Sequence, residues 1–464
     1  MSGTNSADHF SGQPISVVGA GLAGAECAWQ LSRRGFAVRL HEMRPEKYSE
    51  AHTTPLFAEL VCSNTFKAEG LAHASGVLQL EMAGFDSLII RLAREFRVPA
   101  GQALAVDREK FSAAVTATLE QQPNINIVRG ELLEPPSGLA VIATGPLTSP
   151  ALAEALQKLF GSAYLHFYDA IAPTIYRDSL DEAVLFKGGR WGKGDDYWNA
   201  PFTRDEYEVF IDAVLAAERI PLHAFENQEF YEFCLPIEVL ARRGRDTLRF
   251  GPMRPVGLRD PRDGKRPWAV AQLRQEDAAA QLVSLVGFQN HLKFGDQTRI
   301  LRMIPGLREA EFARLGTIHR NAYIDSPRLL TPGLEVKSRP GLFMAGQIAG
   351  VEGYLESAAM GLYAALQMVR RARGAEPLAA PPTTMMGALA RYITWPETKK
   401  LQPMKAVWGI LPVAEGTKRD KETRRAEAAQ TALNDMAGWA RALGEAWVQS
   451  ECPATTESLI STSL

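Results

Sequence analysis

Apolar positions begin to cluster only after thirteen polar or small residues, MSGTNSADHFSGQ, which read as a disordered N-terminus over 1–13. Ile15, Val17 and Val18 form a short apolar run of the kind that makes a buried strand. A glycine-rich turn follows, and Cys27, Ala28, Leu31 and Arg34 then recur at helical spacing until Gly35 ends the helix. Phe36 to Leu40 predict a second strand with Glu42 at its end, so the chain opens on half of a βαβ unit. Two later segments return to the same pattern. GLAVIATGP (138–146) reads as a buried strand ending at Thr144 and Gly145, and PGLFMAGQIAGVEGYLESAAMGLYAALQMVRRAR (340–373) as a strand, a glycine-rich turn and a long helix.

The turn after the first strand is GAGLAG. Gly19 makes the tight turn, Gly21 lets backbone approach a pyrophosphate, and Gly24 lets helix and strand pack closely. Glu42 stands where an acidic residue holds ribose hydroxyls, and the helix N-terminus faces the phosphates. Around the last strand and the start of the following helix, Gly346, Gly350, Gly353 and Gly361 suggest a backbone close to a ligand, since glycine weakens a helix start without such a reason, and Gln347 is a cofactor candidate with them. No second GxGxxG lies between these segments. The arrangement resembles the glutathione-reductase-like flavoproteins: an α/β chain with one FAD-binding Rossmann fold split by an α/β insertion domain. The expected division is a discontinuous FAD-binding domain over 14–170 and 335–450, carrying the C-terminal helices, an insertion domain over 171–334, and a polar tail over 451–464.

Composition narrows the function classes. At 464 residues, 46% hydrophobic, 22% charged and a formal net charge of −2, the chain is an ordinary globular protein whose overall charge does not mark a polyanion binder. Any nucleic-acid surface must be a local patch. Nothing reads as a signal peptide or membrane segment, so the expected location is the cytoplasm, with no membrane and no obligate protein partner. Cysteines at 27, 62, 234 and 452 are too scattered for a disulfide framework, and no CxxC or HExxH provides a metal site. Cys27 falls on the apolar face of the first helix and Cys452 in the tail.

The other two thiols are better placed. Cys234, in FYEFCLPIEVLARRG, precedes a helix opened by Pro236 and ended by Gly244, where unpaired N–H groups favour a thiolate. From Arg242 to Arg266 nine basic residues face three acidic ones, a net +6 interleaved with glycine and proline. Arg242, Arg243, Arg245 and Arg254 are the candidate phosphate contacts. Cys62, in FAELVCSNTFKAEG, stands before Ser63 and Asn64, with Lys67 nearby.

Taken together, GAGLAGAECAWQL, LVCSNTFKAE, FYDAIAPTI, CLPIEVLARRG, FGPMRPVGL, GFQNHLKFGDQ, IHRNAYIDSP and MAGQIAGVEGYLESAAMG resemble the TrmFO family, over roughly residues 14 to 410. The resemblance implies methylation of uracil C5 in the T-loop of tRNA, at position 54, giving 5-methyluridine. FAD and 5,10-methylenetetrahydrofolate, the carbon donor, are its expected cofactors, with NADPH or NADH as reductant. It also implies Cys234 as the thiolate that adds to uracil C6 and Cys62 as the proton acceptor, or the two exchanged, and His291 or His319 against the pterin of the folate. Gln347 departs from the acidic residue common after AG in flavoproteins, a departure TrmFO-like chains share. The alternatives are the same chemistry on 23S rRNA, an MnmG (GidA)-like wobble-uridine enzyme, or a non-catalytic flavin-containing RNA-binding protein.

Overall fold

The computed structural model describes residues 12–161, 164–170, 172–192, 194–220, 235–316, 318–399, 401–412 and 420–449. Most of the expected N-terminal segment, the tail with Cys452, and Cys234 lie outside them. The parallel sheet orders its strands Leu342–Met344, Ala140–Ile142, Ile15–Val18, Val38–Glu42 and Ile125–Arg129. Val17 pairs in parallel with Leu40 on one side and Val141 on the other. Ile15, Val17 and Val18 are all buried, as a central strand of a parallel sheet requires. The chain thus returns to the same sheet at 140, beside the first strand, and again at 342, beside the strand at 140, as its apolar runs suggest.

Between these returns it builds a second sheet, ordered Phe186–Lys187, Tyr197–Phe202, Ala269–Gln275, Leu282–Leu285, Thr174–Tyr176 and Phe312–Arg314, with its own hydrophobic core. An antiparallel ribbon, Tyr164–Ala170 with Ile318–Ile324, leads out of the first unit and back. C-terminal helices Met385–Thr394 and Lys421–Leu443 close over the helix Ala74–Gly84. Buried Glu81 of that helix accepts the Met385 and Met386 N–H groups at 2.7 and 2.8 Å, capping the first of them.

The long helix Tyr354–Ala372 crosses the first helix, Leu22–Arg33, at Gly361. A Cβ there would overlap the Ala23 carbonyl, so only glycine permits this approach. Gly361→Ala is therefore expected to lower stability by about 3 kcal/mol, the upper end for overpacking because backbone is met on the far side. Thermal unfolding checks it, and a melting temperature equal to the parent's would contradict it.

Candidate functional site

A crevice opens at the carboxyl ends of the parallel strands. Gly19 takes φ 95°, and a Cβ there would come 2.8 Å from the Ala143 carbonyl oxygen. Gly24 abuts the Gly19 carbonyl so closely that no side chain fits. Gly21 has no atom within 4 Å of where its Cβ would be, and it caps the first helix with no side chain to take the free N–H groups. Gly145, at φ 68°, is equally open. This uncapped, side-chain-free helix end is the cradle an anionic pyrophosphate requires. The cleft holds about 590 Å³ of open space and is lined by Gly19, Gly21, Glu42, Arg44, Thr144 and Thr148, among others.

Glu42 accepts the Ala20 N–H at 2.9 Å and pairs with Arg44 at 2.9 Å. Burial alone would raise its pKa, but hydrogen bonds and charge from Arg44 bring it below the usual value, so the carboxylate stays ionised at the crevice. The glycines around the last strand have a different reason. Gly346, Gly350 and Gly353 adopt φ 80°, 92° and 117°, and Cβ atoms on them would meet Ala23, Leu401 and the Lys67–Glu356 ion pair. Backbone conformation and packing account for all three. Gln347 donates to Glu352 at 2.7 Å, so the acidic group absent at 347 stands five residues later.

Cys62 is the thiol the structure describes in most detail. The Tyr354 hydroxyl oxygen, at the first turn of the long helix, accepts the N–H groups of Cys62 at 2.7 Å and Ser63 at 3.2 Å, and lies 3.0 Å from Cys62 Sγ. Burial, reinforced by the charge of Cys62, pushes the phenol well above its ordinary pKa. With two N–H donors on the hydroxyl oxygen, the arrangement leaves the hydroxyl as the natural donor to sulfur. That hydrogen bond favours the thiolate.

Arginines grip the same segment. Arg108 donates to the Leu60 carbonyl at 3.2 Å, Arg314 to the Val61 carbonyl at 2.7 Å, and Arg274 to Ser63 Oγ at 3.1 Å. Glu276, 3.5 Å from Arg274 and also paired with Arg108, is the carboxylate that those two guanidinium groups share. Burial and then the Arg108 charge lower the pKa of Arg314, while Tyr354, Glu276 and Cys62 act the other way. Asn64 Nδ2 donates to carbonyls of Val106 and Gln275, both at 3.0 Å, which fixes the thiol segment against the second sheet. None of Tyr354, Arg108, Arg274 and Arg314 was singled out from the sequence. They come together from positions 46 to 292 residues away from Cys62, and the one local hint is that Tyr354 follows Gly353 at a helix start.

Other expected residues stand as follows. The helix Ile237–Arg243 begins after Pro236 and ends at Gly244, but Cys234 is outside the described residues. His291 is buried, with its ring paired to buried Glu238, so its faces pack inside the second unit. His319 lies opposite Asp169 in the ribbon, and its side chain is outside the described residues. Arg242, Arg243 and Arg254 are exposed. Arg245 is clamped at 2.6 Å by both Glu208 and Asp212 from a neighbouring helix, which neutralise it. Arg249 and Arg262 pair with Asp246 and Asp260, which the +6 already counts, so it is Glu208 and Asp212, from outside the run, that bring the patch below the charge counted along the chain. Cys27 is fully buried in the core, and burial raises its pKa. Among the described residues, no group of three or more His, Cys, Asp or Glu could hold a metal ion, and no helix is long and apolar enough to cross a membrane.

Crevice, glycine cradle and strand order define an α/β protein of the FAD-binding Rossmann type. Residues 14–376 match the family described as Glucose inhibited division protein A. The solved structure of Aquifex aeolicus GidA in its form II crystal superposes with a TM-score of 0.68 at 18% identity, covering 94% of this chain and 74% of that one. Nearer in sequence are two proteins named methylenetetrahydrofolate--tRNA-(uracil-5-)-methyltransferase TrmFO. That of Moorella thermoacetica is 54% identical over 421 residues, 90% of this chain and 96% of its own. That of Symbiobacterium thermophilum is 52% identical over 432 residues, 92% and 97%. The chain belongs to the TrmFO family.

The Tyr354 contacts generate a direct expectation. In Tyr354→Phe the sulfur loses its donor and two partly buried N–H groups lose their acceptor, so the pH midpoint for alkylation of Cys62 moves upward. Its alkylation rate at neutral pH falls about tenfold, the usual cost of a hydrogen bond to a charged group. Peptide-resolved mass spectrometry after iodoacetamide treatment at a series of pH values measures this, and an unchanged profile would show that the phenol does not support the thiolate.

Proposed function

We infer that this protein methylates uracil C5 in tRNA. The observation that carries the reading is 54% identity, over 90% of the chain, to a methylenetetrahydrofolate--tRNA-(uracil-5-)-methyltransferase. We propose the T-loop uridine at position 54 as the target, giving 5-methyluridine, and the cytoplasm as the location. When bound, FAD and methylenetetrahydrofolate supply the reducing hydride and the one-carbon unit, and NADPH or NADH restores the reduced flavin. Gly19, Gly21, Gly24, Glu42, Thr144 and Gly145 would hold the dinucleotide, since the open backbone at Gly21 and the ionised Glu42 fit its pyrophosphate and ribose. Gly346, Gln347, Gly350 and Gly353 would shape the far wall.

The residues divide the remaining work as follows. Cys234 adds as thiolate to uracil C6, which makes C5 nucleophilic toward the one-carbon unit. Cys62 accepts the C5 proton, and its thiolate is held ready by the Tyr354 hydroxyl and the surrounding guanidinium groups. Arg314 borders a cleft that also holds Arg108 and the carboxylates of Asp107, Glu276 and Asp277, with its Nε and Nη2 buried behind the surface, so its role is to hold the thiol segment through the Val61 carbonyl. Burial of His291 against Glu238 suits a positioning residue more than one stacked on a pterin. The insertion domain, proposed over 171–334, presents Arg242, Arg243 and Arg254 to the RNA.

Flavin-loaded protein with methylenetetrahydrofolate and NADPH is expected to form 5-methyluridine in an unmodified tRNA transcript, at position 54 by mass mapping. No product from intact flavoprotein would overturn the reading, and product only on 23S rRNA would move it to that substrate. With 5-fluorouridine RNA, Cys62→Ala should retain a covalent adduct and Cys234→Ala should lose it. An adduct surviving only in Cys234→Ala would exchange the two roles.

A further inference from the structure

Trp191 is used neither by the core nor by the chemistry above. Its side chain is 70% exposed, although a large aromatic ring ordinarily gains by burial. Its backbone sits at φ 62°, ψ 27°, the left-handed region that side chains other than those of glycine and asparagine rarely occupy. The surroundings hold it there. Its N–H donates to the Gly257 carbonyl at 2.7 Å, and the preceding Arg190 donates to the carbonyls of Arg254 and Val256 at 2.6 and 2.7 Å and to Gln272 Oε1 at 2.9 Å. The indole rests on Gly257, where any Cβ would press to within 3.0 Å of the ring. Its remaining surface borders a cleft with about 1310 Å³ of open space, lined also by Lys187, Arg259 and Arg266, with Asp195 as the acidic lining residue.

A strained backbone that braces an aromatic ring outward beside cations serves no packing purpose, and strain of this sort persists where function requires it. An unpaired nucleobase needs that combination: a flat ring to stack on and guanidinium groups within reach of its phosphates. We propose that Trp191 is the stacking platform for an unpaired base of the RNA substrate, neighbouring the uridine to be methylated, and that Arg259 and Arg266 hold the flanking phosphates. The proposal rests on the tRNA-methylating reading and adds the place where the opened loop is held. It fits the chemistry of that reading, because a uridine extruded toward a recessed thiol leaves its neighbours unstacked.

The test uses the flavin-loaded full-length protein and an unmodified tRNA transcript. Trp191→Ala should raise both Kd and KM for the transcript about tenfold, as expected for one lost base stack, while NADPH-driven flavin reduction without RNA stays at the parent rate. Trp191→Phe should keep most of the affinity, because a smaller ring still stacks. Arg266→Ala should reduce the slope of log Kd against log salt by about one. In the parent, tRNA should quench tryptophan fluorescence more than it does in Trp191→Phe. If the parent methylates tRNA and Trp191→Ala binds it with parental Kd, the stacking proposal falls alone. If the parent methylates no tRNA but Trp191→Ala still weakens binding tenfold, the platform stands and the reaction assignment falls.

Discussion

The crossing of two helices at Gly361 is the contact on which the site depends. The long helix can lie on the first one only where its backbone meets the Ala23 carbonyl with no side chain between. That closeness ties both ends of the crevice to one rigid unit. Gly24, the residue after Ala23, packs on the Gly19 turn and lets the first helix sit against its strand, which aims the free N–H groups into the crevice. Tyr354 lies seven residues before Gly361, about two helical turns or 10 Å along the axis. Its hydroxyl reaches the Cys62 segment because the crossing sets how far the helix start projects. A side chain at 361 would separate the helices and withdraw the hydroxyl from the sulfur.

Burying several guanidinium groups near one thiol is costly unless each has a partner. Here the segment on which the thiol sits supplies the partners. The carbonyls of Leu60 and Val61 and the hydroxyl of Ser63 take one donor each from Arg108, Arg314 and Arg274, and Arg108 and Arg274 also share Glu276. The same bonds that hold the loop leave a surplus of positive charge around it, in surroundings where charges interact more strongly than in water. A surplus of this sign stabilises an anion on sulfur and opposes its protonation. Loop geometry and thiol activation are therefore one arrangement and cannot be altered separately.

What could be read from the sequence follows from the range of the interactions involved. The GxGxxG turn, the strand returns at 140 and 342 and the burial of Cys27 rest on local periodicity and on glycine sterics, and these were legible. Glycines 346, 350, 353 and 361 stand out in the sequence, but not for the ligand contact their density suggests: positive φ at the first three, and contacts with Ala23, Leu401 and Lys67, explain them. The basic run from Arg242 to Arg266 misled in the opposite direction. Charge counted along the chain omits Glu208 and Asp212, which reach Arg245 from another helix. Tyr354 and the arginine cradle were missed because no periodicity links residues hundreds of positions apart. Trp191 was missed because its meaning lies in exposure and in a backbone angle, neither of which a sequence displays.

One strand connects the two functional surfaces. Arg274 and Gln272 lie two residues apart in Ala269–Gln275, opposite Tyr197 and Asn199, and so project from the same face of the sheet. Arg274 bonds to Ser63 beside the thiol, whereas Gln272 bonds to the Arg190 that braces the Trp191 loop. Two residues of a strand span about 7 Å. Buried Asn64, bonded to the carbonyl of Gln275, then locks the end of this strand onto the thiol segment. The brace behind the RNA-facing ring and the contact beside the thiol are thus two rungs of one hydrogen-bonded ladder. Their separation is set by covalent geometry, so a bound RNA loop meets a thiol at a fixed offset from its stacking surface. If the stacking proposal holds, the position of the opened loop relative to Cys62 would be set through this strand rather than by a flexible linker.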